Sequence, residues 1–102
     1  MDEDLKRREE VQRGDEARRL LEEPLLVEAF AMLRQRYIAE WESSPARDTE
    51  GREKLWLMNR LISSVENQLK QLLETGKLAS IQLEQKRTLR DRAKAAIDWL
   101  GA

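Results

Sequence analysis

Pairs of carboxylates are the closest that this sequence comes to catalytic or metal-binding chemistry. Glu22 with Glu23, and Glu40 with Glu42, could bind a hard cation or share a proton. A metal site in a helical bundle needs carboxylates that project inward from several helices, usually within a Glu-x-x-His motif, and the chain has no histidine. Because these acids lie beside arginines and lysines on polar faces, we predict that they are solvated and hold no metal.

The residues needed for nucleophilic catalysis or nucleotide binding are also missing from the sequence. A serine, threonine or lysine nucleophile needs a neighbouring base, and the chain contains neither His nor Cys. The four glycines, at positions 14, 51, 76 and 101, are isolated, so no glycine-rich phosphate loop is present. We therefore expect no catalytic residue, no cofactor and no enzyme activity.

A basic run near the C-terminus is the best candidate for a nucleic-acid contact. Arg87, Arg90 and Lys94 fall on one flank of a predicted helix, with Arg92 beside them, and such a stripe could neutralise several phosphates. Asp91 interrupts the run, and no aromatic residue is interleaved for base stacking. Basic residues are also favoured near a helix C-terminus. A solvated helix face and a phosphate-binding helix both stay open as readings.

Three tryptophans are the other notable chemical feature. Trp41 continues the apolar stripe of its own helix, so we predict that it belongs to the core. Trp56, Leu57 and Leu61 give the central helix a second apolar face, which a single antiparallel neighbour cannot cover. Trp99 lies close to the C-terminus. Large apolar groups left over after intramolecular packing mark interfaces, so Trp56, Leu57, Leu61 and Trp99 are the predicted protein interface. Coverage of Trp56 by another helix of the same chain is the alternative.

The composition predicts one all-α domain. The 102 residues suffice for one modest core, and 38% charged with 40% apolar residues is typical of long helices with much surface. The net charge of -1 creates no overall attraction to nucleic acid or membrane, and the absence of Cys fits a reducing compartment. We find neither the apolar run of a signal peptide nor a membrane span, so we expect a cytoplasmic protein with no membrane partner.

The central stretch organises the predicted fold. Its apolar residues alternate at spacings of three and four, which places them on one face of a helix. This inward seam consists of Leu55, Met58, Ile62, Val65, Leu69 and Leu72. A preceding helix should start at Pro24 and end before Ser43 and Pro45. A short connection then leads to the central helix, which Asp48 or Thr49 caps, so the two helices should run antiparallel.

The predicted architecture is therefore a long antiparallel helical hairpin with a short N-terminal helix and a C-terminal helix. Residues 1–14 form a charged arm that frays by itself, because they carry too little apolar area to fold, and Gly14 breaks the helix. Residues 15–102 form the single helical domain. Its helices are predicted at 15–23, 24–42, 49–75 and 82–99, with Gly76 as the stop between the last two. The pattern does not decide whether the last helix packs on the hairpin or projects.

Three segments resemble small uncharacterised all-helical proteins of tailed phages. They are Asp48-Thr49-Glu50-Gly51-Arg52-Glu53-Lys54-Leu55-Trp56, Leu20-Leu21-Glu22-Glu23-Pro24-Leu25 and Thr75-Gly76-Lys77-Leu78. The chain is more loosely similar to the oligomerisation core of phage small terminase subunits, in which a long helical hairpin assembles into rings that help to load DNA. The N-terminal helix-turn-helix of many such subunits is missing here. The resemblance implies a phage-encoded protein in the host cytoplasm.

Three functions follow as hypotheses. The first is a non-enzymatic helical protein that acts through self-assembly and protein contact, as a phage assembly or DNA-packaging accessory with phage or host protein partners. The second is a nucleic-acid-binding accessory that contacts DNA through Arg87, Arg90, Arg92 and Lys94. The third is a small inhibitor that docks on a host enzyme through the charged N-terminal arm.

Overall fold

The structure, a computed structural model, describes residues 2–101 as three α-helices: α1 (Asp2–Glu22), α2 (Pro24–Ser43) and α3 (Thr49–Gly101). No strand occurs within these residues, so the predicted all-α class is confirmed. The molecule is a rod of 83 × 25 × 17 Å. Its long dimension matches α3 alone, whose 53 residues span about 80 Å.

The helices α1 and α2 lie end to end along α3 and run in the opposite direction to it. At one end of the paired region Asp4 contacts Lys86, and at the other end Trp41 contacts Arg52. Residue numbers therefore rise along one side of the rod as they fall along the other. The hairpin has α1 and α2 together as its first arm and α3 as its second.

A single residue joins α1 to α2. Glu23 is extended, with φ -68° and ψ 115°, and its side chain accepts a hydrogen bond from the Leu25 amide at 3.4 Å. Pro24 is the first residue of α2, where its missing N–H would have had no partner in any case. The predicted start of α2 is confirmed, and its end lies one residue beyond the prediction.

Hydrogen bonds from both sides close the hairpin turn. The Ser44 hydroxyl donates to the Trp41 carbonyl at 2.6 Å, and the Asp48 carboxylate accepts from the Gly51 amide at 3.0 Å, which caps α3. Arg52 reaches back from α3 and donates to the Trp41 carbonyl and to the Ser44 hydroxyl, at 3.0 and 2.9 Å. The predicted connection and the Asp48 cap are both confirmed.

The inward seam of α3 faces the first arm but is only partly covered. Ile62 is 7% exposed, whereas Met58 and Val65 remain 47% and 44% exposed. The helix α2 covers the first part of the seam, and α1 packs along α3 beyond it. Met58 and Val65 therefore lie at the edge of the intramolecular contact.

The predicted break at Gly14 is wrong, as is the separate helix predicted at 15–23. The helix α1 is continuous from Asp2, and Met1 lies outside the described residues. Two polar contacts tie its first turns to α3: Lys86 donates to Asp4 at 2.8 Å and Arg7 donates to Gln82 at 3.1 Å. The neighbouring helix α3 orders the charged segment. The local sequence did not predict this contact.

The predicted stop at Gly76 is also wrong, so the helices predicted at 49–75 and 82–99 are one helix. Gly76 lies against Gly14 where α1 and α3 cross, and a Cβ on Gly14 would be 2.9 Å from the Gly76 Cα atom. Ala17 and Ala79, three residues further along each helix, are 2% exposed. Neither glycine has a positive φ. Their role is to let two helical backbones approach each other closely.

The last part of α3 projects from the hairpin. Every residue from 84 to 101 is exposed, and the contacts with α1 end near Lys86. We call residues 87–101 the C-terminal extension; at about 1.5 Å per residue it is about 22 Å long. Of the two placements that the sequence left open, the structure has the projecting one.

Alanine at Gly14 or Gly76 is expected to destabilise the fold. Helix propensity alone would favour alanine by up to about 1 kcal/mol. The added methyl group, however, would lie 2.9 Å from opposing backbone atoms that cannot yield easily, and such overpacking costs about 1–3 kcal/mol. Urea unfolding followed by circular dichroism measures the difference. Gly101→Ala is the control, because nothing lies within 4 Å of its added Cβ. A Gly14→Ala variant as stable as the control would refute the close crossing.

Candidate interaction surfaces

The apolar core of this rod is very small. The only buried apolar side chains in the described part of the chain are Ala17, Ile62 and Ala79. Large apolar side chains are exposed on all three helices; for example, Leu5 on α1 is 59% exposed and Trp99 on α3 is 80% exposed. Large exposed apolar patches on soluble proteins mark sites of contact with other molecules.

The first candidate surface is a stripe on α3 that faces away from α1 and α2. It repeats at alternating spacings of four and three, as a second helical seam does. We call it the outer stripe; its residues are Leu57, Leu61, Ser64, Gln68, Gln71, Thr75 and Leu78, and all of them are exposed. None is charged, although 38% of the whole chain is. A long uncharged stripe on a charged rod is the pattern of a helix–helix contact face.

The second candidate is an apolar groove beside the hairpin turn. Its volume is about 270 Å³, and its lining includes Tyr37, Ile38 and Trp41 of α2 with Leu55 and Trp56 of α3. Trp41, predicted to be core, is 41% exposed and forms part of the groove wall. The groove is open and lined by aromatic rings, so it can accept an apolar side chain of a partner.

An arginine lies over the ring of each tryptophan of this groove. The Arg52 guanidinium lies 4.0 Å from the centroid of the Trp41 ring, and that of Arg60 lies 5.4 Å from the Trp56 ring. Cations over aromatic faces are attracted by the ring quadrupole. Because Arg52 also bonds to the turn, the Trp41 wall of the groove is held in place before any partner arrives.

The basic residues predicted to contact nucleic acid all lie on the C-terminal extension. Arg87, Arg90, Arg92 and Lys94 are exposed there. Arg87 is shared between Glu84 at 3.9 Å and Asp91 at 4.0 Å. By helical spacing Arg92 lies on the opposite side from Arg87, Arg90 and Lys94. The structure therefore places three of the four on one flank, as the sequence predicted.

A polar cluster fixes the start of α1 beside this extension. Asp4 accepts a hydrogen bond from Lys86 and lies 3.6 Å from Arg7. The bond from Lys86, aided by the positive charges of Lys86 and Arg7, holds the pKa of the Asp4 carboxyl below its ordinary value of 3.8. Sequence reasoning missed this cluster because its two halves are 82 residues apart.

The predicted interface residues do not form one patch. Leu57 and Leu61 belong to the outer stripe, 53% and 64% exposed, while Trp56 lines the groove beside the turn. Trp99 lies near the end of the extension, and about 64 Å of continuous helix separates it from Trp56. The predicted interface residues are therefore distributed over three separate contact regions.

Of the paired carboxylates, Glu42 lies at the wall of the groove beside the turn. Glu22, Glu23, Glu40 and Glu42 are all exposed. Among residues 2–101, no three acidic side chains come together in a way that could hold a metal ion. No helix in this range is both long and apolar enough to cross a membrane.

Comparison with known proteins found no matching family model, no matching curated protein and no matching solved structure.

Replacing Lys86 with methionine is expected to raise the pKa of Asp4 toward its ordinary value. Lys86 binds the charged form of the carboxylate, so its loss makes protonation easier. Because the folded-state pKa is depressed, the stabilisation from this contact is present above pH 3.8 and is lost as the pH falls through the lower folded value. Carboxyl-carbon NMR titration of Asp4 in the native chain and in Lys86→Met measures the shift; Lys77→Met is the control. An unchanged pKa in Lys86→Met would refute the contact.

Proposed function

We propose that this chain is a non-enzymatic helical protein that acts through self-assembly and through contact with other proteins. One observation carries the proposal: residues 2–101 bury only three apolar side chains, and they expose large apolar ones along both arms of the hairpin. A two-layer rod cannot cover its outer faces with its own residues. Association can cover these faces with little further loss of conformational entropy, because the helices are already formed.

A phage assembly or DNA-packaging role is the most specific form of this proposal. It is supported by the resemblance described above and by the long hairpin, which is the shape that the resemblance implies. The role of the protein in a phage, and the identity of its phage or host partners, stay predictions.

Light scattering over a range of concentrations tests self-assembly. The expected mass is a multiple of the 12.0 kDa of one chain. Leu61→Glu, which places a charge in the outer stripe, should weaken assembly about tenfold or more because the charge would be buried without a partner. Leu5→Glu is the matched control, since Leu5 is 59% and Leu61 64% exposed. A native mass of 12.0 kDa at the highest concentration would remove the proposal.

Nucleic-acid binding is the second candidate, favoured by the C-terminal extension. Its four basic and two acidic residues are all exposed on a helix that projects beyond the hairpin. A projecting positive helix can approach phosphates without obstruction from the rest of the rod.

Changing Arg87, Arg90, Arg92 and Lys94 to glutamine together is expected to abolish any DNA binding. The native chain should bind duplex DNA at low salt, and its affinity should fall with salt by a slope of about 3, if three phosphates are contacted. Fluorescence anisotropy at several salt concentrations measures this slope. Arg18→Gln with Arg19→Gln on α1 is the control. Absence of native binding even at low salt would exclude this function.

A further inference from the structure

We propose that a second copy of this chain docks on the outer stripe of α3 in the antiparallel direction, across a two-fold axis near Asn67, with Arg60 of each copy paired to Glu74 of the other. This inference rests on the proposed self-assembly and adds to it the face, the direction and the register of the contact.

The charges beside the outer stripe fix the direction. One flank of the stripe carries Arg60, Asn67 and Glu74 at intervals of seven residues, so the three lie in a row along the rod. In an antiparallel pair whose axis lies level with residues 65–67, Arg60 of one copy lies beside Glu74 of the other, and the symmetry makes this pair twice. In a parallel pair the same residues would be about 21 Å apart along the axis.

The other flank supports the same register. Antiparallel helices bring matching flanks together, so the row of Met58, Val65 and Leu72 would face itself. Val65 then meets Val65 of the second copy, and Met58 meets Leu72. Met58 and Val65 are 47% and 44% exposed in the single chain although they belong to its inward seam. The second copy would cover the part of this seam that α1 and α2 leave open.

The stripe itself is complementary to its own reversed copy. In this register Leu57 enters the space between Thr75 and Leu78 of the second copy, at both ends of the contact. Ser64 and Gln68 lie near the two-fold axis, where their side chains can hydrogen-bond across it. Leu61 of each copy then lies near Gln71 of the other, and none of the residues of the outer stripe is charged.

The contacts that Arg60 and Glu74 make within one chain do not prevent them from pairing with the second copy. Glu74 pairs with Lys77 at 3.6 Å on the exposed helix surface, and Arg60 lies 5.4 Å from the Trp56 ring centroid. Exposed pairs of this type contribute little, so each side chain can turn to the second copy. Arg60 can reach Glu74 of that copy while its aliphatic part stays near Trp56.

Charge reversal with mixing tests the register. Arg60→Glu alone and Glu74→Arg alone each place like charges at both symmetric pairs, so dimerisation should weaken about tenfold. A 1:1 mixture of the two variants should recover native affinity, because every pair in the mixed dimer is again opposite in charge. The double variant R60E/E74R should recover it as well. Arg47→Glu in the turn is the control for the change of charge. Sedimentation equilibrium measures each dissociation constant.

Disulfide trapping gives a second measurement, since the native chain has no cysteine. Under oxidation, Leu57→Cys mixed with Thr75→Cys should form a mixed disulfide, and Leu57→Cys alone should form little. Self-linking of Leu57→Cys together with no effect of charge reversal would overturn the antiparallel register while leaving self-assembly intact. A native chain that is monomeric at every concentration would overturn both proposals.

Discussion

The contact between the backbones of Gly14 and Gly76 determines the shape of this molecule. A methyl group on either residue would lie within 3 Å of the other helix, so the two helices approach as closely as helical backbones can. That approach brings Ala17 and Ala79 into the most buried positions of the structure, and it aligns Asp4 with Lys86. With this crossing, α1 extends the arm begun by α2; without it, the first turns of α1 have little apolar area with which to stay folded.

A thin core and a large apolar surface are two results of the same geometry. In a rod only two helices thick, few large side chains are covered on every side, so even the inward seam retains exposed edges at Met58 and Val65. Much of the apolar surface that a globular domain would bury is left for another molecule to cover. The polar contacts at the turn and at Asp4 fix the two ends of the region in which the arms are paired, which leaves the long faces of the rod available for association.

The sequence predicted the features of this fold that depend on local chemistry. Pro24 starts a helix, Asp48 caps one, and the spacing of Leu55 and Ile62 marks the inward face of α3. The predicted helix ends at Gly14 and Gly76 were wrong. A glycine considered alone predicts a break in a helix, and only the opposite helix shows why the glycine is tolerated there. The shared Gly-x-x-Ala spacing at 14–17 and 76–79 was the available signal. The distance between Trp56 and Trp99 follows from the same continuous helix: with Gly76 as a stop the chain could fold back, and as a continuous helix it cannot.

The arrangement of the hairpin also implies an order of folding. Arg52 bonds to the carbonyl of Trp41, only 11 residues away, whereas Arg7 with Gln82 and Asp4 with Lys86 span 75 and 82 residues. The entropy lost on closing a loop grows with the length of the loop, so contacts near the turn form at least cost and those at the far end follow once the intervening chain is paired. The two arms should therefore pair from the turn outward during folding, and they should separate first where α1 begins.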